Sequence, residues 1–235
     1  MLHALNARKA RLRNLISGEG RIPFEDIVTS TVFGPLTLLR SDERAAVIGA
    51  IAQQCDIPAA GDDFCSLHLW SRRDGNRFRP RSVEPDVVVD FGNGAQILIE
   101  VKWGAALDRN ELAAQWASLS PVERQQSYHL LLVREPSRYA EAIREDEEEL
   151  RKWLGETDWR HRLRVCSWRA MADIVRRLEV RPDIDAGVRT WAKMVAVLLS
   201  REELRVQVGW GHLGLVELVE DNWEFNGLGN GNDDN

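Results

Sequence analysis

Hydrophobic and polar residues follow two different periods along this chain of 235 residues. Apolar positions recur with helical spacing over residues 4–17, 22–39, 41–54, 110–119, 136–153, 171–178 and 188–205. Short apolar or alternating runs typical of strands cover residues 64–72, 86–91, 96–103, 128–134 and 164–168. Strands interleaved with helices predict an α/β domain built around a central sheet. We expect residues 1–226 to form a single domain and the Gly-, Asn- and Asp-rich tail at 227–235 to be disordered.

The turn between two of these strands gives a register that can be tested. Residues 92–94 read Gly-Asn-Gly between two runs rich in β-branched residues, which indicates a hairpin. A three-residue loop with a glycine in the left-handed conformation sets Asp86 opposite Glu100, with Cβ atoms ~5 Å apart. A two-residue loop would pair Asp86 with Val101 and separate the two carboxylates onto opposite faces of the sheet.

The three-residue register also separates apolar from polar side chains. One face of the hairpin is wholly apolar and carries Val87, Val89, Phe91, Ala95, Ile97, Ile99 and Val101. The other face carries Asp86, Val88, Asp90, Gln96, Leu98, Glu100 and Lys102. We expect the first face to build the core and the second to carry the chemistry. Like charges opposed on a sheet destabilise it unless they are compensated, and a bound cation would compensate them.

Two carboxylates and a lysine at the ends of adjacent strands have the composition of a divalent metal site. Hard cations such as Mg²⁺ take oxygen ligands and usually bind through one or two carboxylates plus substrate phosphates. A lysine beside them is suited to hold or deprotonate an attacking water. The spacing alone is unspecific, because an ordinary hairpin with charged residues at its solvated ends would show the same pattern.

This arrangement resembles the core motif of the PD-(D/E)xK nuclease superfamily. Asp86, Glu100 and Lys102 match that motif residue by residue, and the resemblance covers about residues 20–135. It implies a restriction-endonuclease-like fold, in which a mixed central sheet is flanked by helices, with additional N- and C-terminal helices here. It also implies that Asp86 and Glu100 ligate Mg²⁺ or Mn²⁺, that the Val101 carbonyl is a third ligand, and that Lys102 orients or activates the water.

Two flanking segments resemble one prokaryotic branch of the superfamily. Residues 24–34 are similar to a helix that brings a glutamate to the site, which makes Glu25 a metal ligand or the holder of a metal-bound water. Its neighbour Asp26 is the rival for this role, and an early-turn acid that interacts with the helix dipole is the alternative. Residues 111–116 are similar to a helix that carries a glutamine, so Gln115 would position the lysine or the phosphate, unless it is a solvated helix residue.

Charge adds a candidate nucleic-acid surface. The net charge of −6 argues against a protein that binds nucleic acid without selectivity. A turn just before the predicted site is nevertheless crowded with Arg72, Arg73, Arg77, Arg79 and Arg81. Guanidinium groups match phosphate geometry, so we expect these arginines to contact the nucleic-acid backbone. The alternative is a solvated loop whose arginines pair with the excess acids.

These observations predict a metal-dependent nuclease that acts on DNA, with RNA not excluded, in DNA processing or, by analogy with the family, in bacterial antiviral defence. The alternative is a non-catalytic nucleic-acid-binding or assembly subunit that retains the fold. Double-strand cleavage would call for a homodimer, and partner subunits of a multi-protein system are a further expectation. Three scattered cysteines and the lack of a long apolar run predict a cytoplasmic protein without membrane contact. The acidic run at 145–149 is expected to be a solvated helix face.

Overall fold

The computed structural model describes residues 24–58 and 64–200. Its helices are α1 (Phe24–Val32), α2 (Ser41–Gln54), α3 (Glu111–Ala117), α4 (Pro121–Gln126), α5 (Ala140–Leu154), α6 (Trp159–Arg162), α7 (Trp168–Val180) and α8 (Ala186–Ser200). Its strands are β1 (Phe64–Leu69), β2 (Arg73–Asp74), β3 (Ser82–Val83), β4 (Val87–Phe91), β5 (Gln96–Val101), β6 (Tyr128–Val133) and β7 (Leu163–Ser167). Among these described residues, no helix is both long enough and apolar enough to span a bilayer.

A mixed five-stranded sheet forms the centre of the fold, with the strand order β1-β4-β5-β6-β7. The β1–β4 and β4–β5 pairs are antiparallel, whereas β5–β6 and β6–β7 are parallel. The α/β prediction with a mixed central sheet flanked by helices is therefore confirmed. The compact unit that contains the sheet ends at Val197, and residues 198–235 form a second unit that lies mostly outside the described residues. The predicted domain limit at 226, the tail at 227–235 and the helix at 4–17 also lie outside them.

The β4–β5 hairpin has the three-residue register. Val87 pairs with Ile99 and Val89 with Ile97, and one further step along this register sets Asp86 opposite Glu100. Gly94 has a φ of +82°, the left-handed conformation that glycine adopts without a steric penalty. The loop therefore fixes which side of the sheet the two carboxylates share.

Both faces of the sheet are buried, which corrects the expected division between a core face and a chemical face. Val88 and Leu98, on the face that also bears the carboxylates, belong to a core cluster that includes Leu112 and Trp116 of α3 and Leu150 of α5. The polar character of this face is confined to its ends. The site is therefore embedded in a packed interior at the end of β5, and it does not lie on an open sheet surface.

Local chemistry explains where the helices depart from the predicted bounds. The predicted helix at 22–39 is split into α1 and a short 3₁₀ helix (Gly34–Leu38), because Pro35 has no backbone N–H for an α-helical hydrogen bond. Helix α2 begins at Ser41, and Arg40 occupies its N-cap position. Helix α4 was not predicted, although Ser120 and Glu123 form a capping box at its start.

Asp146 corrects the prediction that the acidic run on α5 is uniformly solvated. Its side chain is buried, and its Oδ2 accepts a hydrogen bond of 3.0 Å from the backbone N–H of Ala113. Ala113 lies in the first turn of α3, where N–H groups lack helical acceptors. Asp146 thus caps α3 from a neighbouring helix and fixes the position of the helix that carries Gln115.

Replacing Asp146 with alanine should lower the free energy of unfolding by about 1–3 kcal/mol, because the buried amides at the start of α3 would lose their acceptor. Urea unfolding followed by circular dichroism measures this difference. Glu145→Ala, at an exposed position of the same run, is the matched control and should change stability by less than about 0.5 kcal/mol. Equal effects of the two substitutions would show that Asp146 does not act as a cap.

Candidate active site

The end of the β4–β5 hairpin holds Asp86 by two backbone contacts. Its Oδ2 accepts a hydrogen bond of 2.8 Å from the Val101 N–H, and its carbonyl accepts one of 3.0 Å from the Trp70 N–H. Its Oδ1 makes no hydrogen bond to the described residues. The hydrogen bond to Oδ2 therefore fixes the orientation of the Asp86 side chain, and Oδ1 remains available to a ligand.

Glu100 lies beside Asp86 and is held by two side chains. Lys102 Nζ is 2.6 Å from its Oε1, and Gln115 Nε2 donates a hydrogen bond of 2.6 Å to its Oε2. The Glu100 side chain is 4% exposed and the Lys102 side chain 11%. The structure thus brings together four of the predicted residues, and Gln115 is a buried site residue, not a solvated one.

Glu111 is a site residue that the sequence analysis did not assign. Its Oε2 lies 3.0 Å from Lys102 Nζ and also accepts a 3.0 Å hydrogen bond from the Asp108 N–H. Its Oε1 is 3.5 Å from a guanidinium nitrogen of Arg79. Glu111 occupies the first position of α3, where a carboxylate interacts favourably with the helix dipole. That rule predicts a helix start, but it does not reveal that the side chain reaches the lysine.

Burial and crowding set the protonation of these groups. Burial raises the pKa of Asp86 to about 6, against the Val101 amide and Lys102, which lower it, while the charges of Asp26 and Glu111 add to the rise. Burial, followed by the charges of Asp86 and Glu111, raises the pKa of Glu100 well above its usual value. Burial lowers the pKa of Lys102, but Glu100 and Glu111 outweigh it and the net shift is upward. Lys102 is therefore a cation throughout the neutral range.

Glu25 lies next to the site and contacts the backbone of the loop that follows Lys102. Its Oε1 accepts hydrogen bonds from three successive backbone amides, at 2.7, 3.1 and 3.0 Å, which belong to residues 103–105. Glu25 therefore anchors the loop that follows Lys102. The charge of its neighbour Asp26 adds to the rise in the pKa of Asp86. Metal or water binding by Glu25 stays a prediction, and so does the rival role of Asp26.

His129 and Trp159 extend the site into the core, and the sequence analysis missed both. Gln115 Oε1 is 2.9 Å from His129 Nε2, and Trp159 Nε1 donates to His129 Nδ1 at 3.4 Å. All three side chains are buried. A histidine inside the apolar run of β6 must find polar partners when it is buried, which is a detectable signal, but the sequence does not say which partners they are.

The arginine-rich segment is a hairpin, closed by the pairing of β2 with β3, and it folds against α3. Asn76 Nδ2 donates a 2.8 Å hydrogen bond to the Ala114 carbonyl. Gly75 allows the turn to close, because a Cβ there would lie 2.2 Å from the Pro80 carbonyl oxygen. The segment is thus attached to the helix that carries Glu111 and Gln115.

Three of the five candidate arginines have protein partners. Arg73 donates to Gln96 Oε1 at 2.6 Å, the Arg77 guanidinium lies 3.4 Å from the centroid of the Trp153 ring, and Arg79 contacts Asp108 and Glu111. Arg72 and Arg81 are exposed and make no hydrogen bond or ion pair with the described part of the chain. Phosphate contact stays a prediction for all five, and these two have the free guanidinium groups it requires.

The site contains oxygen donors of the chemical kind that hard divalent cations take. Asp86 and Glu100 supply carboxylate oxygens, and the Val101 carbonyl adds a neutral oxygen. Within residues 24–58 and 64–200, no group of three or more His, Cys, Asp or Glu side chains is arranged to hold a metal ion. A site with two carboxylates leaves most of the coordination shell to water and phosphate, which is the usual mode for Mg²⁺.

Comparison of the chain with family models, with curated proteins and with solved structures finds no match in any of the three. Membership of a nuclease family therefore stays a prediction.

Because the pKa of Asp86 is raised, the contribution of this residue to the free energy of unfolding should decrease as the pH rises. Its folded pKa of about 6 lies above the reference value of 3.8, so ionisation costs stability as the pH rises through this interval. Asp86→Asn removes that cost, and between pH 4 and pH 7 the variant should gain on the order of 1–3 kcal/mol relative to the parent. Thermal unfolding at the two pH values, without divalent metal, measures this gain. The exposed Glu145→Gln serves as control, and parallel pH profiles for Asp86→Asn and the parent would contradict the expectation.

Proposed function

We propose that this protein is a metal-dependent nuclease of the PD-(D/E)xK type, with a restriction-endonuclease-like fold, that hydrolyses phosphodiester bonds in DNA. The observation that carries the proposal is the β4–β5 register, which sets Asp86 beside Glu100 with Lys102 Nζ 2.6 Å from the latter. The mixed sheet flanked by helices is compatible with this fold. The buried acidic pair is costly for folding alone, which supports a chemical reason for it.

Asp86, Glu100 and the Val101 carbonyl are the groups that would hold Mg²⁺ or Mn²⁺. A divalent ion bound there supplies a water of lowered pKa and neutralises charge on the scissile phosphate. The free Oδ1 of Asp86 makes this residue the more accessible of the two carboxylates. Glu100 contributes the second charge, and its orientation is fixed by Lys102 and Gln115.

Lys102 acts in this proposal as a fixed cation and a hydrogen-bond donor, not as the base. Its neighbours Glu100 and Glu111 raise its pKa, so it holds its proton at neutral pH. An ammonium group in this position orients the attacking water and stabilises negative charge on the phosphate. Glu25 supports this role indirectly, because it accepts hydrogen bonds from the backbone amides of residues 103–105, which directly follow the lysine.

DNA is the proposed partner, and the exposed Arg72 and Arg81 are the proposed phosphate contacts. Arg79 and Arg77 help to fix the hairpin that presents them. With a net charge of −6, the protein needs such a local basic surface to approach a polyanion. Cleavage of both strands would use two copies of the site, which a homodimer supplies.

The central test is cleavage of plasmid and single-stranded DNA with and without Mg²⁺ or Mn²⁺. At saturating Mg²⁺, Lys102→Ala should reduce single-turnover cleavage by at least ~10²-fold while DNA binding stays within about threefold, because the lysine acts on the reacting groups. Lys193→Ala, at an exposed position on α8, is the matched control and should cleave as the parent does.

Four outcomes would sink or redirect the proposal. Full activity of a folded Lys102→Ala variant would remove the lysine from the mechanism. Cleavage that is equal in EDTA and in Mg²⁺ would show that the reaction does not need a divalent metal. A folded parent that binds DNA without cleaving it under any metal would favour the non-catalytic subunit, whereas cleavage of RNA but not DNA would reassign the substrate.

The exposed arginines predict a specific salt dependence. Arg72→Ala combined with Arg81→Ala should weaken binding to all duplex sequences. The slope of log affinity against log salt should become shallower by about 0.9 for each lost phosphate contact. Fluorescence anisotropy over a salt series measures the slope. Arg160→Ala combined with Arg169→Ala removes the same charge from two other exposed positions and should leave the slope nearly unchanged. An equal change in both pairs would assign the effect to net charge and not to this hairpin.

A further inference from the structure

Behind Glu100, a chain of buried polar side chains crosses the core from β5 to α6. Gln115 of α3 contacts Glu100, His129 of β6 contacts Gln115, and Trp159 of α6 contacts His129. The exposed fractions of these three side chains are 3%, 0% and 1%. Polar groups so deeply buried need hydrogen-bond partners, because an unpartnered buried polar group is costly.

The chemistry of the groups gives this chain of hydrogen bonds one direction. An indole N–H is a donor and never an acceptor, so the Trp159 contact requires an unprotonated His129 Nδ1. Burial lowers the pKa of His129 to about 3, so the ring is neutral and carries its single proton on Nε2. That N–H donates to Gln115 Oε1 over 2.9 Å. The amide of Gln115 is left with its NH₂ group toward Glu100.

The reverse orientation of the amide would be unfavourable at both ends. A flipped Gln115 would direct its carbonyl oxygen at the Glu100 carboxylate and its NH₂ group at the His129 N–H. Both hydrogen bonds would be lost in a buried site, at a cost of about 1–3 kcal/mol for each unsatisfied group. The protonated Nε2 of His129 is therefore what distinguishes the two orientations.

Packing holds the imidazole in the plane that this direction requires. The Trp116 ring is stacked with the His129 ring at a centroid separation of 6.2 Å and an interplanar angle of 11°. The Trp159 ring meets the imidazole edge at 6.3 Å and 60°. Two indole rings, one from α3 and one from α6, thus hold the histidine ring of β6 in place.

We propose that His129 and Trp159 are positioning residues, which lock the amide of Gln115 so that its NH₂ group holds Oε2 of Glu100. Lys102 Nζ contacts the other oxygen, Oε1, so the amide of Gln115 and the lysine together determine the orientation of the Glu100 carboxylate. The effect on turnover rests on the proposed nuclease function, whereas the orientation of the hydrogen bonds does not. The two are therefore tested by separate measurements.

The orientation is tested by ¹⁵N NMR of the histidine rings. The parent should show His129 as a neutral ring protonated at Nε2 across pH 5–8. Trp159→Phe keeps an aromatic ring but removes the N–H donor, so a second tautomer of His129 should appear. Trp191→Phe removes an equally buried indole donor, which bonds to the Val32 carbonyl, and should leave the His129 signals unchanged. A parent ring protonated at Nδ1, or an unaltered tautomer in Trp159→Phe, would overturn the proposed direction.

The positioning role is tested by kinetics and metal titration on the same variants. Trp159→Phe should lower kcat by ~10-fold or weaken Mn²⁺ binding by a similar factor, with KM for DNA within twofold, as is usual when a group behind a ligand is lost. His129→Gln keeps a donor near the position of Nε2 and should recover most of what His129→Leu loses. Equal losses in these two folded variants would reduce His129 to a packing residue. Absence of any cleavage by the parent would refute the proposed nuclease function. The Mn²⁺ affinity and the tautomer of His129 would still show whether His129 and Trp159 fix the orientation of the Gln115 amide.

Discussion

The buried ion pair between Lys102 and Glu100 is the interaction around which this end of the sheet is organised. Burying a charged pair is costly, and the cost is recovered when each remaining charge and lone pair finds a partner. Glu111 provides the lysine with a second carboxylate, and Gln115 provides Glu100 with a donor. The surrounding structure can be understood as the support for these two contacts.

That support comes from segments far apart in the sequence. Glu25 of α1 holds the loop after the lysine through three amides, and Asp146 of α5 holds the start of α3. Trp168 of α7 donates to the Lys102 carbonyl at 3.4 Å. The site is thus rigid by construction, since its charged groups are fixed through backbone positions as well as through side chains.

The parts of the site that the sequence predicts are those governed by local rules. A glycine-bearing turn sets a register by itself, so the opposition of Asp86 and Glu100 follows from a few consecutive residues. Gln115 was assigned through the resemblance to a family helix and not through periodicity, since every residue from Glu111 to Trp116 is buried. Asp146 was detectable by periodicity, because it shares a helical stripe with Ile143 and Leu150, both buried.

The remaining residues depend on packing between elements that are distant in sequence. His129 can be recognised in the sequence as a polar residue within an apolar strand. Its partners, however, lie on α3 and α6, which precede and follow β6 in the chain. The arginine hairpin was recognised as a turn, but its attachment to α3 depends on Asn76 reaching Ala114. Charge composition could not show that Arg79 is paired with Asp108 and Glu111 and Arg77 stacked on Trp153.

Strand β5 separates two kinds of pairing, and this sets an order in which the site assembles. Its antiparallel partner β4 is joined to it by residues 92–94, whereas its parallel partner β6 is reached through α3 and α4. Short loops close quickly, and parallel crossovers close late. We therefore expect the two acids to meet in the hairpin before α3 and β6 deliver Gln115 and His129. In this order of assembly the two acids would face each other before Gln115 and Glu111 arrive, and docking of the crossover would complete the contacts around them.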